Sequence, residues 1–186
     1  MKRILFFNDC LALGGTEILL VNMLNHLSSK KCSVTLLLPQ PSADDVLLEK
    51  LSTSIIIKYI HKSALAQPVA GLYKNLMIFF PRIFTSIHGL KASDYDEVVC
   101  FKDGFYARIF SKMNIPKILW IHNIFYRRKY QVHSFKERLA VYLNKQQLKI
   151  SEQSYRRFDK VICVSDACKY AYLDILYNNQ SQQQNI

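Results

Sequence analysis

The stretch from Arg3 to Leu27 constrains the fold more than any other, because three recognisable patterns follow one another in it without a gap. Ile4–Phe7 is a short apolar run that ends in turn-forming residues, which is typical of a parallel strand covered on both faces. From Ile18 onward, apolar side chains recur at helical spacing with polar residues between them. The stretch therefore predicts a strand, a glycine-containing turn and an amphipathic helix.

The glycine pair Gly14-Gly15 permits two interpretations. If Gly15 or Thr16 is the N-cap, the first amides of the helix face the space beyond the end of the strand. These amides and the helix dipole would then form a site for an anion such as a phosphate. Alternatively, the glycines supply only the dihedral angles of a turn that binds nothing. Both interpretations are open from these residues alone.

Composition limits the classes of protein to consider. The chain has 186 residues, of which 50% are hydrophobic, so it can bury one ordinary core. Its net charge of +11 favours anionic partners such as phosphorylated ligands, nucleic acid or an acidic membrane surface, although a solvated basic surface would also account for it. The five cysteines include no C-x-x-C pair, and Cys100 and Cys163 lie in apolar runs, which predicts reduced core thiols in a cytosolic protein. We expect no signal peptide at the start of the sequence, because only four apolar residues follow Met1-Lys2-Arg3 before Asn8, and we expect no membrane span, because no apolar run is long enough.

Strand-like and helix-like segments alternate along the rest of the chain. Further strands are predicted at Ser33–Leu38, Ser54–Ile60, Asp96–Phe101, Lys117–Ile121 and Lys160–Val164. Helices are predicted at Ala43–Leu51, at Phe105–Met113 and from Asp166 to about Tyr177. This alternation predicts an α/β fold, a single Rossmann-like domain over residues 1–177 with a doubly wound, mainly parallel sheet. The polar, low-complexity tail at 178–186 is predicted to be disordered.

Ligands of such sheets bind beyond the carboxyl ends of the strands, so the residues at the strand tips are the candidates for a site. Four loops meet this condition: Asp9–Thr16, Lys102–Phe105, His122–Phe125 and Ser165–Ala167. His122 follows directly after a strand, where its imidazole could contact a sugar or phosphate oxygen, or could serve only as a satisfied structural side chain. The same two interpretations apply to Lys102 and Asp103. Ser165, followed by Asp166, also fits a plain helix N-cap.

Several familiar chemistries do not fit the motifs. The first turn lacks G-x-G-x-x-G, and the second strand does not end in an acidic residue, so the sequence argues against nicotinamide binding. No G-K-[ST] of a P-loop and no G-x-S-x-G elbow of a serine hydrolase occurs. The five histidines show no zinc-ligand spacing, so no metal site is predicted.

Four motifs occur in order along the chain: GGTE at the start of a leucine-rich helix, YDEVVCFKDG, KILWIHN and YRRFDKVICVSDACKYAY. Together they resemble the N-terminal domain of family 4 glycosyltransferases, the retaining GT-B enzymes of bacterial surface-polysaccharide assembly. The resemblance covers roughly Met1 to Tyr172. It implies a domain that binds the acceptor, commonly a lipid-linked or membrane-bound glycan, with a nucleotide-sugar as co-substrate and no separate cofactor. Nucleic acid is not expected as a partner on this assignment.

The resemblance also assigns roles to individual residues. Gly14 and Gly15 match the glycine loop that approaches the donor diphosphate, and His122 matches the histidine that contacts the reacting sugar, so it is the candidate catalytic residue. The remaining candidates for contact with donor phosphate or substrate lie beside these residues at the strand tips. They are Thr16, Lys102, Asp103, Asn123 and Ser165.

One departure from the family pattern bears on activity. In the family, a second Rossmann-like domain holds the nucleotide, and it should begin shortly after Tyr172, where this sequence soon passes into NNQSQQQNI. We therefore expect the chain to be catalytically incomplete alone. A truncated gene product, a one-domain fragment and a subunit of a split enzyme are the three accounts left open.

The basic and aromatic residues alone would suffice for a second class of function, which is not enzymatic. A non-enzymatic module could use them to bind a membrane, a nucleic acid or a partner protein. Arg127, Arg128 and Lys129 cannot be buried unpaired, and they stand beside aromatic residues, so we expect them to face an anionic membrane surface on its cytoplasmic side. The apolar and basic stretch Val69–Leu90 could do the same, or could be a core helix kinked by Pro81.

Overall fold

A computed structural model of the chain describes residues 1–61, 76, 79–82, 85, 90–122 and 134–181. Its centre is a six-stranded, fully parallel sheet in the order β3-β2-β1-β4-β5-β6. The strands are β1 (Arg3–Phe7), β2 (Ser33–Leu38), β3 (Ile56–Tyr59), β4 (Glu97–Cys100), β5 (Lys117–Ile121) and β6 (Lys160–Cys163). The α-helices longer than one turn in these residues are α1 (Gly15–Ser29), α2 (Phe105–Phe110), α3 (Phe135–Tyr155) and α4 (Asp166–Ser181). The predicted doubly wound α/β fold is confirmed.

The two faces of the sheet carry separate hydrophobic cores. Successive residues of a strand point to opposite faces, so Ile4 and Phe6 of β1 pack with the buried face of α1, while Leu5 and Phe7 pack with residues of α2 and α3. All four of these side chains are buried. The continuous apolar run of β1 therefore follows from burial on both faces, as the sequence predicts.

The predicted helix at Ala43–Leu51 is wrong. This segment forms turns and one short 3₁₀ helix, Leu48–Lys50. The cause is a competing set of hydrogen bonds, because the buried carboxylate of Asp45 accepts from the backbone N–H of Leu11 at 2.6 Å. Leu47 N then donates to Leu11 O at 3.1 Å, which fixes the segment against the loop after β1.

Some element boundaries also differ from expectation. The helix after β4 ends at Phe110 and not at Met113, and β3 is shorter than predicted. The last helix continues to Ser181, four residues past Tyr177, since no glycine or proline interrupts it there. Residues 182–186, the loop predicted at Ala64–Pro68 and most of the stretch Val69–Leu90 lie outside the described residues.

Among the helices that the structure describes, none combines the length and the apolar character needed to cross a membrane.

Candidate functional site

The strand order reverses between β1 and β4, and we call the edge of the sheet beyond the carboxyl ends of these two strands the cleft. The chain winds from β1 toward β2 and β3 on one side, and then returns to β4, β5 and β6 on the other. Ligands of open parallel sheets bind where the order reverses in this way. The loops after β1 and β4 and His122, the first residue after β5, therefore lie side by side at this point. The fourth predicted loop, which contains Ser165, follows the edge strand β6 and lies two strands away from β4.

The loop after β1 is held in place by its own polar contacts. Asn8 is fully buried, and its Nδ2 donates to the carbonyl of Cys10 at 2.6 Å. Leu11 is also fully buried, and its backbone is bonded in both directions to the segment that contains Asp45 and Leu47. The path of the loop is thus fixed before the glycine pair begins.

The glycine pair starts α1, but the N-cap is Gly14 and not Gly15 or Thr16 as expected. Gly14 has an extended backbone (φ −154°, ψ 158°), and its carbonyl accepts from the N–H of Ile18 at 2.9 Å. No side chain of the described residues caps the helix. The first amides of α1, including those of Gly15 and the half-buried Thr16, therefore have no side-chain acceptor among the described residues and could donate to an anion.

The two glycines have different surroundings. A Cβ on Gly14 would meet the carboxylate of Glu17, a residue of the first turn. A Cβ on Gly15 would meet no described atom within 4 Å. The negative carboxylate of Glu17 is favourable beside the positive end of the helix dipole, where it occupies a position that suits an anionic ligand.

An ion pair joins the loops after β1 and β4. Lys102 Nζ lies 3.1 Å from Asp9 Oδ2. Burial disfavours the charged ammonium, but the carboxylate of Asp9 and, to a lesser degree, that of the buried Asp103 outweigh this, so the pKa of Lys102 is raised. Lys102 therefore stays cationic at the cleft.

The loop after β4 depends on a contact from α3. Gly104 adopts φ +92°, which favours glycine, and its N–H donates to the phenol oxygen of Tyr155 at 2.8 Å. Tyr155 is fully buried. The end of α3 thus supports the turn that carries Lys102 and Asp103.

His122 lies directly after β5, as predicted. Its ring packs against Phe101 and Trp120, with ring centroids 4.5 Å and 5.8 Å away. Burial, and then the positive charge of Lys102, lower the pKa of His122, so the imidazole is neutral near pH 7. Its Nε2 is buried and has no hydrogen-bond partner among the described residues. A neutral ring with a free nitrogen can bind a hydroxyl group.

Ser165 caps a helix in the structure. Its Oγ accepts from the N–H of Cys168 at 3.2 Å, which caps the start of α4. A groove of about 490 Å³ lies beside it, with Cys163, Lys169 and Tyr172 in its lining. The predicted residues Asn123, Arg127, Arg128 and Lys129 lie outside the described part of the chain.

Asp9, Cys10 and Glu17 form a group that the motifs did not reveal. Their ligand atoms lie within 4.8 Å of one another, a spacing that could hold a metal ion. Burial raises the pKa of Cys10, and the neighbouring carboxylates add to this effect, so its sulfur favours the protonated thiol. Asp9 already pairs with Lys102. The chemistry of this group therefore fits a cation poorly.

Sequence reasoning also missed Asn8, Asp45 and Tyr155, whose contacts shape the cleft without following a motif. For Asn8 the signal was its place at the end of the first strand. Asp45 and Tyr155 gave no local signal, because their partners are far away in the sequence.

The chain belongs to glycosyltransferase family 4, whose family model matches residues 13–179. The resemblance predicted from the motifs is thus confirmed. No curated protein matches the chain.

Two solved structures are similar to this one. MurG of Acinetobacter baumannii is 15% identical, with a TM-score of 0.51 over 88% of this chain and 41% of the MurG chain. This likeness supports the GT-B type of fold, and the chain spans less than half of MurG. UGT2 of Phytolacca americana, complexed with UDP-2fluoro-glucose and pterostilbene, is 19% identical, with a TM-score of 0.41 over 64% of this chain and 30% of UGT2.

Proposed function

We propose that this chain is the acceptor-binding half of a retaining glycosyltransferase, which transfers a sugar from a nucleotide-sugar to a polysaccharide or lipid-linked acceptor. Family membership supports glycosyl transfer in general. The observation that carries the specific proposal is the buried Nε2 of His122, which lacks a described partner beside the cationic Lys102. A buried nitrogen without a partner is costly, and a ligand that fills the cleft would relieve that cost.

The donor diphosphate would lie over the start of α1. The open amides at Gly14 and Gly15 suit a doubly negative group, and the absence of a Cβ at Gly15 lets it come close to the backbone. Glu17 would have to turn away from Gly14 as the diphosphate arrives, which its flexible side chain permits. Lys102 adds a positive charge at the same sheet edge.

The neutral imidazole of His122 would bind a hydroxyl of the transferred sugar and orient it in the cleft. In the transfer, the acceptor oxygen bonds to the anomeric carbon as the bond from that carbon to the phosphate oxygen breaks. The proton of the acceptor hydroxyl passes to the departing phosphate oxygen or to water, and the nucleoside diphosphate leaves. Donors aimed at the charge that develops on the departing phosphate favour the reaction.

This chain would supply one wall of the donor cleft. It spans 41% of the MurG chain, and the proposal assigns the other wall to a donor-binding domain, either fused or on a partner chain. The proposal places the complete assembly on the cytoplasmic face of a membrane, where lipid-linked acceptors are found.

Calorimetric titration with a panel of nucleotide-sugars tests the proposal, first on this chain alone and then with a separately expressed donor-binding domain. We expect one nucleotide-sugar to bind the mixture, and Gly15→Val to weaken that binding more than about tenfold. The reason is that valine places a branched side chain where the diphosphate must approach, in space that the fold leaves empty.

Ser29→Val is the matched control, since it introduces the same side chain at the opposite, exposed end of α1. It should bind as the unmodified chain does. Circular dichroism checks that both variants are folded. If folded Gly15→Val binds the nucleotide-sugar as tightly as the Ser29→Val control, the proposed donor site is wrong.

A further inference from the structure

Helix α3 has an exposed apolar stripe that no part of the proposed site uses. Near its C-terminus the helix is anchored by Ser154 and Tyr155, which are fully buried. Toward its N-terminus, Leu139, Tyr142 and Leu143 are 51%, 59% and 47% exposed. Their spacing of three and four residues places them within about 100° of arc on one side of the helix.

A row of cations runs beside this stripe. Arg138, Lys145 and Lys149 are all exposed, and their spacing of seven and eleven residues aligns them within about 40° of one another. The centre of the row lies about 90° around the helix from the centre of the apolar stripe. Cationic and apolar residues thus occupy adjoining strips of one exposed surface.

The acidic residue of the first turn does not interrupt this surface. Glu137 forms a capping box with Ser134, with both hydrogen bonds at 3.2 Å. The helical period places it on the side opposite the apolar stripe. The capping box also fixes where α3 begins, and hence the register of the exposed residues.

We propose that the exposed face of α3, formed by Leu139, Tyr142, Leu143, Arg138, Lys145 and Lys149, docks on an anionic lipid surface. The three apolar side chains enter the headgroup boundary, and the three cations lie at the level of the lipid phosphates. Long basic side chains can extend along the apolar surface to reach that level, and Tyr142 presents both a ring and a hydroxyl. The inference does not depend on the proposed glycosyl transfer, and it uses none of Arg127, Arg128 and Lys129.

A lipid surface fits this face better than a protein or a nucleic acid does. A stable protein interface needs about 20–30 residues on each side, and its core is depleted in lysine. A nucleic acid would account for the cations but not for two half-exposed leucines next to them. The boundary between lipid and water accommodates both kinds of side chain, and the net charge of +11 attracts the chain to an anionic surface.

Co-sedimentation with vesicles tests the proposal on the chain as it stands. The probes are phosphatidylcholine vesicles with and without phosphatidylglycerol. We expect binding to the phosphatidylglycerol vesicles only, and weaker binding at higher salt. The triple variant Arg138→Gln, Lys145→Gln, Lys149→Gln should bind on the order of 100-fold more weakly.

The matched control removes the same three charges from other elements. Lys30, Lys50 and Lys91 are exposed at the end of α1, in the 3₁₀ helix before β3 and before β4. Their triple change to Gln should retain most of the vesicle binding, since the face of α3 is intact. Equal losses in the two triple variants would overturn the proposal, because net charge alone would then account for binding.

A second pair of variants isolates the apolar stripe. Leu139→Asn with Leu143→Asn should lower vesicle binding at least tenfold, while Ile18→Asn with Leu19→Asn, which changes two half-exposed residues of α1, should not. Circular dichroism verifies that each variant is folded. The proposal is overturned if the chain ignores anionic vesicles, binds neutral ones equally, keeps its binding in the Leu139 and Leu143 variant, or uses α3 to bind nucleic acid only.

Discussion

The two ends of the parallel sheet differ in how their polar groups are satisfied. At the amino ends of the strands, charged side chains pair across neighbouring elements. Lys2 contacts Glu97, and Arg3 contacts Asp96, each at 2.8 Å. The carboxylate of Asp159 accepts from the backbone N–H of Lys117 at 2.7 Å, which joins β5 to the turn before β6. The charged groups named at this end of the sheet are therefore paired within the chain.

At the carboxyl ends, buried polar atoms lack partners among the described residues. They are Asn8 Oδ1, Asp9 Oδ1 and His122 Nε2, which follow β1 or β5. Each such atom costs about 1–3 kcal/mol relative to a satisfied one. The comparison teaches that the amino end of the sheet is organised for stability, while the carboxyl end holds groups that a ligand could satisfy. Mutations at the two ends should therefore separate stability from function.

The largest effect is expected at the carboxyl end, from His122→Ala. Turnover by the complete assembly, measured as sugar transferred to acceptor, should fall about 100-fold or more, because the variant lacks the group that we propose orients the reacting sugar. The free energy of unfolding, measured in urea, should change by only about 1 kcal/mol, since the lost ring packing is offset by removal of an unsatisfied buried nitrogen. His122→Phe is the control, since it keeps a ring against Phe101 and Trp120 but should be equally inactive.

The pH dependence of stability supplies an independent readout of the same histidine. Because burial lowers the native pKa of His122 below its ordinary value of 6.5, the stability that its neutral form contributes is fully present above about pH 6.5. That contribution is lost as the pH falls through the native pKa. The unmodified chain should therefore lose more stability over this range than His122→Ala does. Normal turnover together with a large loss of stability in His122→Ala would mean that the residue is structural.

The difference between the ends was partly predictable from sequence. Strand tips can be located from apolar runs that end in polar residues, and parallel pairing then brings those tips to one edge of the sheet. This reasoning predicted that Asp9, Lys102 and His122 follow strands whose carboxyl ends lie side by side, as the strand order shows. The glycine pair also marked the start of α1, although the N-cap was displaced by one residue to Gly14.

The contacts that hold the loops could not be predicted, because they join distant parts of the chain. Asp45 is 34 residues from Leu11, and Tyr155 is 51 residues from Gly104. No local pattern shows which buried polar group will meet which backbone amide. The exposed stripe of α3 was missed for a related reason, since Leu139, Tyr142 and Leu143 have the same spacing as a stripe that packs on a core.

The next effect in size concerns the support of the cleft from α3. Tyr155→Phe removes the oxygen that accepts from the N–H of Gly104, and leaves that amide without its partner in a partly buried position. We expect a loss of about 1–3 kcal/mol in the free energy of unfolding, measured by urea denaturation.

Tyr95→Phe is the control for this variant. The Tyr95 hydroxyl accepts from the flexible Lys58 ammonium at 3.1 Å, and that cation can turn to water instead, so the loss should be smaller. A loss in Tyr155→Phe no larger than in Tyr95→Phe would show that this hydrogen bond does not hold the loop.

The smallest effect is expected at the amino end, from Asp96→Asn. The side chain of Arg3 and then its backbone N–H donate to Asp96, and together they lower the pKa of that carboxyl to about 2. Its charged form therefore contributes stability above its ordinary pKa of 3.8, and this contribution is lost as the pH falls through about 2. The melting temperature of Asp96→Asn should be slightly lower than that of the unmodified chain at pH 7. The difference is small because the pair is exposed to solvent, and it should shrink toward pH 2.

Turnover should be unchanged in Asp96→Asn, since Asp96 lies at the opposite end of the sheet from the cleft. Asp94→Asn is the control, since it removes a neighbouring exposed charge and leaves the pair of Arg3 with Asp96 intact, so its melting temperature at pH 7 should stay closer to that of the unmodified chain. A loss of turnover in folded Asp96→Asn would contradict the conclusion that the amino end of the sheet contributes to stability and the carboxyl end to ligand binding.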